Sequence, residues 1–576
     1  MRHELQIFTL RHLLERSALR HKENVALTII GDQESRLTYS QLLKKVNSMA
    51  TYMLQHGLEK GDKIAILAES QVNWGLAFFA VISCGAVAVP ILPDFSAFEI
   101  NTILEHSEAK AIIVSAKQFD KIVPFCKKNE NFLFRVEDLF HIPSPLASNL
   151  ENAKDFVEAP GRDTLRTKAN LKRIEERNQS EDDLATIIYT SGTTGSSKGV
   201  MLTNKNLTSN ASACVRQFFK IKSKMRFLSI LPLSHSYEFT IGFLLPLLCG
   251  CEIHYLGKPP APSILLPALK SVRPHVMLSV PLLIEKIYRS SVVPQIAKNE
   301  RLTKLYKRSV FRRFINSVIG KKLKETFGGR LKFFGVGGAA LDIEVEKFLK
   351  EAKFPYAIGY GLTETSPLLA GSGPKQTKVG TVGPALKGVD LRIDYENKGD
   401  KEGEIVAFGP NVMVGYYKDE KLTAESFTAD GYFKTGDLGI IEHRRLSIKG
   451  RSKTMILGPA GENIYPESIE TLLNNRPYVL ESLVLSDEGG LAAMIRLDFE
   501  LMAENLKISA VDVKEHATHY LSQLREEVNK ELSSFSRIRE VLLQKEPFQR
   551  TPTLKIKRYL YQIKKTFTKD KDENQE

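Results

Sequence analysis

The chain has 576 residues, more than a single hydrophobic core usually supports, so we expect at least two domains. Hydrophobic residues make up 43% of it, a normal share for a globular protein, which excludes fibrous and wholly disordered chains. The formal net charge of +14 favours acidic partners such as nucleotides, anionic lipids, an acidic carrier protein or nucleic acid, but does not choose among them.

The chain contains five cysteines: Cys84, Cys126, Cys214, Cys249 and Cys251. Their number is odd and none forms a C-x-x-C pair, which predicts reduced thiols in a cytoplasmic protein rather than a disulfide framework. The N-terminus mixes both charge signs, so we expect no signal peptide. The stretch from Trp74 to Pro93 is uncharged, but glycine and proline interrupt it. A buried helix, a turn and a short strand explain it better than a membrane span.

Helix-like and strand-like segments alternate over the first 180 residues. Lys63 to Leu67 and Ala111 to Val114 have the composition of strands, and the segment after Gln71 has that of a helix. This alternation predicts an α/β sheet covered by helices. The polar stretch from Gly161 to Asp183 is expected to be an exposed connection to the segment that follows it.

The most informative segment is Y-T-S-G-T-T-G-S-S-K-G-V, from Tyr189 to Val200. It follows an apolar run from Leu184 to Tyr189 that is typical of a buried strand. Hydroxyls, glycines and one lysine, without any acid, can surround an anion together with backbone N–H groups, so we predict a phosphate-binding loop. Lys198 stands three residues after Gly195, so this is not the loop in which a lysine directly follows the second glycine.

Further strands are expected at Phe227 to Pro232, Cys251 to Leu256 and His275 to Val280. His235 follows the first of them. A histidine at the carboxyl end of a strand in an α/β fold often faces the ligand crevice. Taken alone, the residue fits equally well as a core histidine bonded to a backbone carbonyl.

Between Arg301 and Lys324 there are nine basic residues and no acidic one. Apolar residues recur among them at helical spacing: Leu302, Tyr306, Val310, Phe314 and Val318. The pattern predicts one basic amphipathic helix. We favour a solvated basic face above an apolar stripe that points into the core. The alternative is a docking surface for an anionic membrane or an acidic carrier protein.

Three later segments suit a nucleotide. The run from Gly335 to Ala340 formally fits G-x-G-x-x-A, but the acidic residue needed about twenty residues later is missing, so we expect a close-approach turn beside a base. In the run from Gly359 to Thr365, Tyr360 can stack on a base and Glu364 can bind phosphate-bound Mg²⁺. Asp437 is expected in a tight turn that suits a ribose diol.

A domain boundary is expected after Gly450, because shorter elements and long polar helices follow it. His516 and His519 lie three residues apart, but no further histidine or cysteine is near them in the sequence, so we expect no metal pair. The run from Arg550 to Arg558 places a lysine on a turn, and the polar tail 568–576 is expected to be disordered.

Seven of these segments occur in the order found in one superfamily: YTSGTTGSSKGV, LPLSHSYE, FGVGGAAL, GYGLTET, GYFKTGDLG, IKGRSK and TPTLKIKR. The chain therefore resembles the adenylate-forming (AMP-binding) enzymes. Within this superfamily, the motifs GGAAL, GPNVMVGYY, GENIYPESIE and TPTLKIKR are most similar to those of the long-chain fatty acid–CoA ligases. The resemblance implies an α/β fold with a large N-terminal domain, 1–450, of stacked β-sheets with flanking helices. A small mobile α+β C-terminal domain, 451–567, and the tail 568–576 follow.

The resemblance also implies the reaction. A medium- or long-chain fatty acid attacks the α-phosphate of ATP, with Mg²⁺ present, to give acyl-AMP and pyrophosphate, and the thiol of coenzyme A then displaces AMP. The enzyme is implied to be cytoplasmic, with a peripheral contact to the inner face of an anionic membrane as a further option. No nucleic acid partner is expected.

The roles of individual residues follow from the same resemblance. The β- and γ-phosphates would be held by Thr190, Ser191, Gly192, Thr193, Thr194, Gly195 and Lys198. Glu364 would bind Mg²⁺, and Thr363 would contact the α-phosphate. Tyr360 would stack on adenine beside Gly338 and Ala339. Asp437 and Arg451 would hold the ribose, and His235 would border the acyl carboxylate.

Two roles fall to the smaller domain. Lys555 is implied as the catalytic residue of the first half-reaction, an ammonium placed between the carboxylate and the α-phosphate. Lys453 is implied as the hinge whose rotation removes Lys555 and forms the thiol tunnel, with Gly461 at its wall. Asn204 replaces a histidine and Leu554 a glycine of the family pattern; neither change removes a charge that the chemistry needs.

Other functions stay open. A ligase that transfers the acyl group to acyl carrier protein would share every motif, and only an acceptor assay separates it from a CoA ligase. An aryl or short-chain acid ligase is disfavoured by the final motifs. A non-catalytic protein that binds membrane or nucleic acid through its basic surface would not need the charged residues assigned above to phosphate, Mg²⁺, ribose and catalysis. That function is therefore disfavoured as well.

Overall fold

The computed structural model describes residues 5–126, 132–137, 139, 141–142, 172, 174–175, 177, 179–191, 197–297, 300–397, 399–457, 463–487, 490–506, 509, 512–551 and 556–561. These residues fall into two compact units. The larger unit holds those up to Ser191, from Ser197 to Thr435 and from Ile440 to Ile448, and the smaller unit holds Gly436–Gly439 and those from Lys449 onward. The expected boundary after Gly450 is two residues from this last division, and the separate roles of the two domains stay predictions.

The first sheet of the larger unit has eight strands. Their order across the sheet is Leu368–Gly371, Tyr356–Gly361, Phe333–Val336, Val276–Ser279, Arg226–Ser229, Glu252–Tyr255, Val25–Ile29 and Asp32–Thr38. Neighbours run parallel except at the two edges, where the outermost strands are antiparallel. The inner strands are short and mostly apolar, as expected when both faces of a sheet are covered. The predicted strand at Phe227 to Pro232 ends at Ser229, earlier than expected.

The second sheet of the larger unit also has eight strands. Their order is Gly415–Tyr416, Ser197–Thr203, Leu184–Ser191, Val87–Ile91, Lys63–Leu67, Ala111–Val114, Phe132–Arg135 and His141–Ile142. The middle strands are parallel, and the pairs at both ends are antiparallel. The predicted strands Lys63–Leu67 and Ala111–Val114 are confirmed with the expected bounds.

A third sheet has four strands, in the order Asp390–Asp394, Gly403–Phe408, Phe433–Glu442 and Arg445–Arg451. The division between the two units passes through the last two of these strands.

Helices cover the sheets of the larger unit. The α-helices are Leu10–Arg20, Tyr39–Gln55, Val72–Ser83, Ala97–Ser107, Val123–Cys126, Asn204–Gln217, Leu245–Cys249, Pro262–Val272, Pro281–Ile287, Val293–Ala297, Glu300–Tyr306, Ser309–Thr326, Ile343–Glu351 and Glu420–Glu425. Ala116–Lys121 and Thr363–Thr365 are 3₁₀ turns, and Glu238–Leu244 and Tyr288–Val292 are π-helical.

Alternating side chains divide the core of the larger unit into apolar layers. Ile64 and Ile66 belong to the same cluster as Leu27 of the first sheet, whereas Ala65 and Leu67 belong to a second cluster. Successive residues of a strand point to opposite faces, so one strand serves both layers. A third layer covers the first sheet with the helices that follow residue 262. The predicted α/β fold of stacked sheets is confirmed.

The uncharged stretch from Trp74 to Pro93 lies inside this core. It forms most of the helix Val72–Ser83, whose residues are almost all buried, and then the strand Val87–Ile91. The predicted buried helix and the short strand after it are therefore confirmed. Among the helices that could be searched in the described ranges, none has the length and hydropathy needed to span a bilayer.

The basic segment differs from the prediction in two ways. It forms two helices, Glu300–Tyr306 and Ser309–Thr326, which are separated at Lys307 and Arg308. The apolar stripe of the longer helix does not point into the core, because its buried residues are Asn316, Gly320 and Leu323. The interpretation as a core-facing stripe is therefore wrong for Val310, Phe314 and Val318, which are all exposed.

The smaller unit is an α+β arrangement with its own core. Its sheet has the order Val479–Asp487, Gly490–Leu497 and Ile538–Leu543, with the first pair antiparallel and the second parallel. Its helices are Pro466–Asn474, Phe499–Leu506 and Asp512–Glu531, and Ile456–Leu457 pairs with Asn463–Ile464. Ser534–Ser536 and Arg558–Leu560 are 3₁₀ turns. The core contains Leu473, Val484, Leu524 and Val528.

All five cysteines are free thiols. Cys84, Cys214, Cys249 and Cys251 are buried, and Cys126 is half-buried. Burial raises the pKa of Cys84 and of Cys249 to about 12 and that of Cys126 to about 11, and it raises the pKa of the other two thiols as well.

Candidate active site

The motif of the predicted phosphate loop includes parts of two strands as well as the connection between them. Thr190 and Ser191 continue the strand Leu184–Ser191, and Ser197–Thr203 runs back beside it, so that Lys198 lies opposite Thr190. The lysine is therefore held by a strand rather than by a loop. The residues that connect the two strands, Gly192, Thr193, Thr194 and Gly195 among them, lie outside the described ranges. Their contacts with phosphate stay predictions.

Lys198 lies beside the carboxylate that is expected to bind Mg²⁺. Its Nζ is 5.4 Å from the centre of the Tyr416 ring, within the range of a cation–π interaction. The hydroxyl of Tyr416 donates a hydrogen bond of 3.0 Å to Oε1 of Glu364. Burial, followed by the charge of Glu364, raises the pKa of Tyr416, so this hydroxyl stays protonated and can donate. One aromatic ring thus separates the lysine from the carboxylate.

The pairing of an edge strand places Tyr416. Gly415 and Tyr416 lie opposite Met201 and Val200, on the strand that also carries Lys198. Side chains two residues apart on a strand point to the same face. The register of this pairing therefore decides whether the tyrosine meets the lysine.

A 3₁₀ turn, Thr363–Thr365, presents Thr363 and Glu364. The side-chain amides of Asn210 and Asn411 both donate to the carbonyl oxygen of its last residue, at 3.3 Å and 2.8 Å. Both asparagines are buried, and a buried amide with satisfied donors is held in one orientation. The turn that carries the carboxylate is therefore positioned before any ligand arrives.

Ser236 connects two of the predicted motifs, since its Oγ lies 3.3 Å from Oγ1 of Thr363. The preceding residue, His235, is half-buried, and its Nδ1 lies 3.3 Å from the backbone nitrogen of Tyr237, which donates to it. This bond fixes the imidazole at the start of a helical segment that continues into Glu238–Leu244. The structure thus places His235 near Thr363, and its contact with an acyl carboxylate stays a prediction.

The residues expected around adenine lie on two neighbouring strands. Gly338 and Ala339 follow the strand Phe333–Val336 and are exposed, and Gly338 has a φ of 88°, which favours glycine. Tyr360 belongs to the parallel neighbour Tyr356–Gly361. Its side chain packs into an apolar cluster and is only 7% exposed. Stacking of adenine on Tyr360 stays a prediction.

A small apolar cavity adjoins these strands. Its lining includes Phe218, Tyr237, Leu278, Phe333 and Gly335. A Cβ atom at position 335 would stand 2.8 Å from Cδ2 of Leu278 and 2.8 Å from the hydroxyl of Tyr237, so a larger residue would displace these two wall side chains. Sequence reasoning did not define this cavity, because separate segments of the chain supply its walls.

The residue after Tyr237 is a buried carboxyl group. Glu238 is 1% exposed, and its Oε2 has no hydrogen-bond partner within the described part of the chain. Gly242 makes room for it, since a Cβ there would stand 2.5 Å from the carboxyl carbon. Burial raises the pKa of Glu238 to about 8, so the group is mostly uncharged at neutral pH.

In the smaller unit, Asp437 and Arg451 form an ion pair, with 3.1 Å between Nε and Oδ1. Asp437 is buried, whereas the side chain of Arg451 is 42% exposed. The prediction of a tight turn at Asp437 is wrong. The residue lies within the strand Phe433–Glu442, which is distorted just before it by Gly436 with a φ of 70°. The two residues expected at the ribose are thus together, and their contact with a ribose stays a prediction.

Three other predicted residues belong to the C-terminal part of the chain. Lys453 is exposed, in the turn after the strand Arg445–Arg451. Gly461 and Lys555 lie outside the described residues. The hinge, the tunnel and the catalytic lysine therefore stay predictions.

Within the described ranges, no group of three or more His, Cys, Asp or Glu side chains could hold a metal ion. Glu364 fits Mg²⁺ in another way, because Mg²⁺ often binds one or two carboxylates and completes its shell with phosphate oxygens and water. His519 has its Nε2 2.9 Å from the side-chain amide of Gln523, a contact within one helix.

Sequence reasoning missed Tyr416, Ser236, Asn210 and Asn411. Tyr416 stands in the GPNVMVGYY run that supported the resemblance, but nothing in the spacing relates it to Glu364. Their contact depends on an edge strand of two residues, which is too short to give a periodic signal.

Comparisons with known proteins identify the family of the chain. A family model described as AMP-binding enzyme matches residues 14–417. The long-chain-fatty-acid–CoA ligase FadD15 of Mycobacterium tuberculosis is 28% identical, over 91% of this chain and 90% of its own length. Fatty acyl-CoA synthetase A of Dictyostelium discoideum is 27% identical, over 91% and 83%. The long-chain-fatty-acid–[acyl-carrier-protein] ligase AEE15 of Arabidopsis thaliana is 27% identical, over 94% and 83%.

Solved structures share the fold. ATP-bound MatB from Rhodopseudomonas palustris superimposes with a TM-score of 0.72 at 23% identity, covering 96% of this chain and 98% of its own. The o-succinylbenzoate CoA synthetase MenE from Bacillus subtilis, in complex with the acyl-adenylate OSB-AMP, gives a TM-score of 0.72 at 21% identity with the same coverage.

Proposed function

Because the chain belongs to the AMP-binding enzyme family, we propose that it is an ATP-dependent fatty acid–CoA ligase. It activates a medium- or long-chain fatty acid to acyl-AMP and then transfers the acyl group to coenzyme A. The observation that carries the proposal is the cluster of Lys198, Tyr416, Glu364 and Thr363, which supplies a cation, a carboxylate and a hydroxyl side by side. The names of several curated relatives support the fatty acid and the CoA.

The first half-reaction brings two anions together. A carboxylate oxygen of the acid bonds to the α-phosphorus of ATP, the bond from that phosphorus to the bridging oxygen breaks, and pyrophosphate leaves. Positive charge at the leaving group and fixed positions for both reactants lower the barrier of such a step. Lys198 is proposed to hold the departing phosphates and Thr363 the α-phosphate. Mg²⁺ bound by Glu364 would supply further neutralisation of phosphate charge.

In the second half-reaction, the sulfur of coenzyme A bonds to the acyl carbonyl carbon. The bond from that carbon to the AMP oxygen breaks, and the thiol proton passes to solvent. During this step AMP is proposed to stay bound beside Gly338, Ala339 and Tyr360 of the larger unit.

The apolar cavity beside Gly335 is proposed to accept part of the acyl chain. Its walls carry no charged group, and Tyr237, which lines it, stands two residues after His235. An acid whose carboxylate meets His235 could therefore extend its chain along this wall. Burial of an apolar chain in such a space is favourable by about 0.8 kcal/mol for each CH₂ group.

Acyl carrier protein is the second candidate acceptor. The relative named as an acyl-carrier-protein ligase and the basic segment 301–324 both favour it. We place the enzyme in the cytoplasm, where its five free thiols stay reduced, with a peripheral contact to the inner face of a membrane.

The proposal is tested by pyrophosphate release across a series of acids from acetate to stearate, with CoA or acyl carrier protein as acceptor. We expect release with the longer acids and thioester formation with CoA. Glu364→Gln should lose most of the release. The proposal fails if no acid gives pyrophosphate, and the acceptor is revised if only acyl carrier protein is acylated.

A further inference from the structure

The helix Ser309–Thr326 presents an apolar face to solvent. Val310, Phe314 and Val318 are spaced by four residues and are 76%, 70% and 58% exposed. Phe311 adds a second ring that is 44% exposed. Residues four apart lie on one side of a helix, so these side chains form a continuous stripe rather than scattered contacts. A grouped set of exposed apolar residues marks an interaction surface more often than single ones do.

The opposite face fixes the orientation of this helix. Gly320 is buried, and a Cβ atom there would stand 2.0 Å from the carbonyl oxygen of Ala352, so the helix packs closely against the chain after Ile343–Glu351. Arg312 and Asn316 donate to the carboxylate of Glu351 at 2.9 Å and 2.8 Å. Turning the apolar stripe inward would break these bonds. The packing of the opposite face therefore keeps the apolar stripe exposed to solvent.

Basic residues stand at both ends of the stripe. Lys307 and Arg308 precede the helix, and Lys321 and Lys322 lie one turn beyond Val318, all of them exposed. The helix itself carries one acidic residue, Glu325. The surface thus combines large apolar side chains with a single sign of charge along most of its length.

We propose that this face, made of Val310, Phe311, Phe314 and Val318, docks the enzyme onto an anionic lipid membrane. We call it the docking face. An in-plane amphipathic helix inserts apolar side chains among the acyl chains and places flanking cations at the phosphate headgroups. The stripe follows one side of the helix, so the helix can lie flat on a lipid surface with these side chains inserted. An acidic carrier protein would engage the cations and leave much of the stripe uncovered.

The benefit of membrane docking to the enzyme rests on the proposed function, whereas the docking itself does not. A long-chain acid partitions into lipid, so an enzyme held at the bilayer meets its substrate there. Docking itself can be measured without any turnover.

The test is flotation of the full-length chain with vesicles. We expect it to float with vesicles of phosphatidylcholine and phosphatidylglycerol at low salt, and much less with phosphatidylcholine alone. High salt should reduce the bound fraction, because screening weakens the attraction between the cations and the headgroups.

Two sets of variants separate the apolar and the charged parts of the docking face. Phe314→Ser with Val318→Ser, and separately Lys321→Glu with Lys322→Glu, should each lower the bound fraction at least fivefold. The matched controls are Phe98→Ser, an 81% exposed ring on another helix, and Lys44→Glu with Lys45→Glu, two adjacent exposed lysines. These controls should float as the unchanged chain does. Each variant should release pyrophosphate at the unchanged rate with octanoate in vesicle-free buffer, which shows that it is folded.

Three results would overturn the proposal. The first is that the unchanged chain does not float with the anionic vesicles at low salt. The second is that both sets of variants float as well as the unchanged chain. In the third, Lys321→Glu with Lys322→Glu removes acylation of acyl carrier protein but leaves flotation unchanged, which would make the face a carrier site. Flotation without pyrophosphate release from any acid would support docking and overturn the proposed function, so the two failures are distinguishable.

Discussion

Among single residues, Tyr416 connects the two charges that the proposed chemistry needs. Its ring faces the ammonium of Lys198, and its hydroxyl bonds to Glu364. A hydrogen bond to a charged acceptor contributes about 1.5–3 kcal/mol, more than a bond between neutral groups. The tyrosine therefore orients the carboxylate as well as filling the space beside it.

We predict that Tyr416→Phe lowers kcat/KM for ATP about tenfold, because the carboxylate loses this donor while the ring stays in place. Steady-state kinetics at saturating fatty acid measure the effect. Tyr417→Phe is the matched control, since the hydroxyl of Tyr417 makes an exposed 3.4 Å contact with Glu108 and none with Glu364 among the described residues. Equal losses in both variants would contradict the role of Tyr416.

Glu238 predicts a dependence of stability on pH. Its pKa is about 8 in the folded chain and 4.5 as the ordinary value, so between these two pH values the folded state binds more protons than the unfolded state. The free energy of unfolding therefore falls as the pH rises through this window, by up to about 1.4 kcal/mol per pH unit from this group, and levels off above it.

Glu238→Gln removes this titration, so the stability of the variant relative to the unchanged chain should increase from pH 4.5 to pH 8. Thermal unfolding of both chains across this window measures the difference. A difference that stays constant with pH would show that Glu238 is not held uncharged in the folded state.

The second sheet shows how far elements can be predicted from the sequence. Lys63–Leu67 and Ala111–Val114 are almost entirely buried, and their short length and β-branched residues indicate strands rather than helices. The edge strand Gly415–Tyr416 is specified instead by its pairing with the strand of Lys198, which depends on contacts distant in sequence. The elements that build the site were therefore harder to predict than those that build the core.

The basic segment shows a different limit. Helical spacing of apolar residues was evident, but periodicity does not tell which face of a helix meets the core. Here the small residue Gly320 and the polar Asn316 lie on the buried face, because Gly320 permits close packing and Asn316 finds the carboxylate of Glu351. The large apolar residues were left outside.

Gly335, on the strand Phe333–Val336, allows a test of whether the cavity beside it sets the preference for acyl-chain length. In Gly335→Ala, the new methyl group would need the space now lined by Leu278 and Tyr237. We expect kcat/KM for palmitate to fall at least tenfold more than kcat/KM for butyrate, because the longer chain needs the cavity. Butyrate is the internal control for folding. Equal losses for the two acids would exclude this cavity as the acyl site.

For the whole molecule, the division into two units assigns the residue proposed for the departing phosphates and those proposed for the ribose to different units. Lys198 belongs to the larger unit, whereas Asp437 and Arg451 belong to the smaller one. The chain length and the change of pattern after Gly450 predicted at least two domains, but not which residues within each would touch. Such contacts depend on register and packing rather than on composition.

Lys555, the predicted catalytic residue, provides the test at this scale. We expect Lys555→Ala to abolish formation of acyl-AMP and to spare thioester formation from supplied acyl-AMP, because its ammonium would act only while charge develops at the α-phosphate. Pyrophosphate release and acyl-CoA formation are measured separately. Lys557→Ala, a lysine two residues away, is the control, and equal loss of both half-reactions in Lys555→Ala would contradict the assignment.

The burial of the thiols has a consequence for a chain that handles activated acyl groups. Both acyl-AMP and the product thioester react with thiolates, and a protein with an accessible thiolate would acylate itself. Because burial raises the pKa of every one of the five cysteines, their sulfurs stay protonated at neutral pH, and four of them are also out of reach. The cysteines of the enzyme are therefore poor nucleophiles, which favours transfer of the activated acyl group to the acceptor thiol.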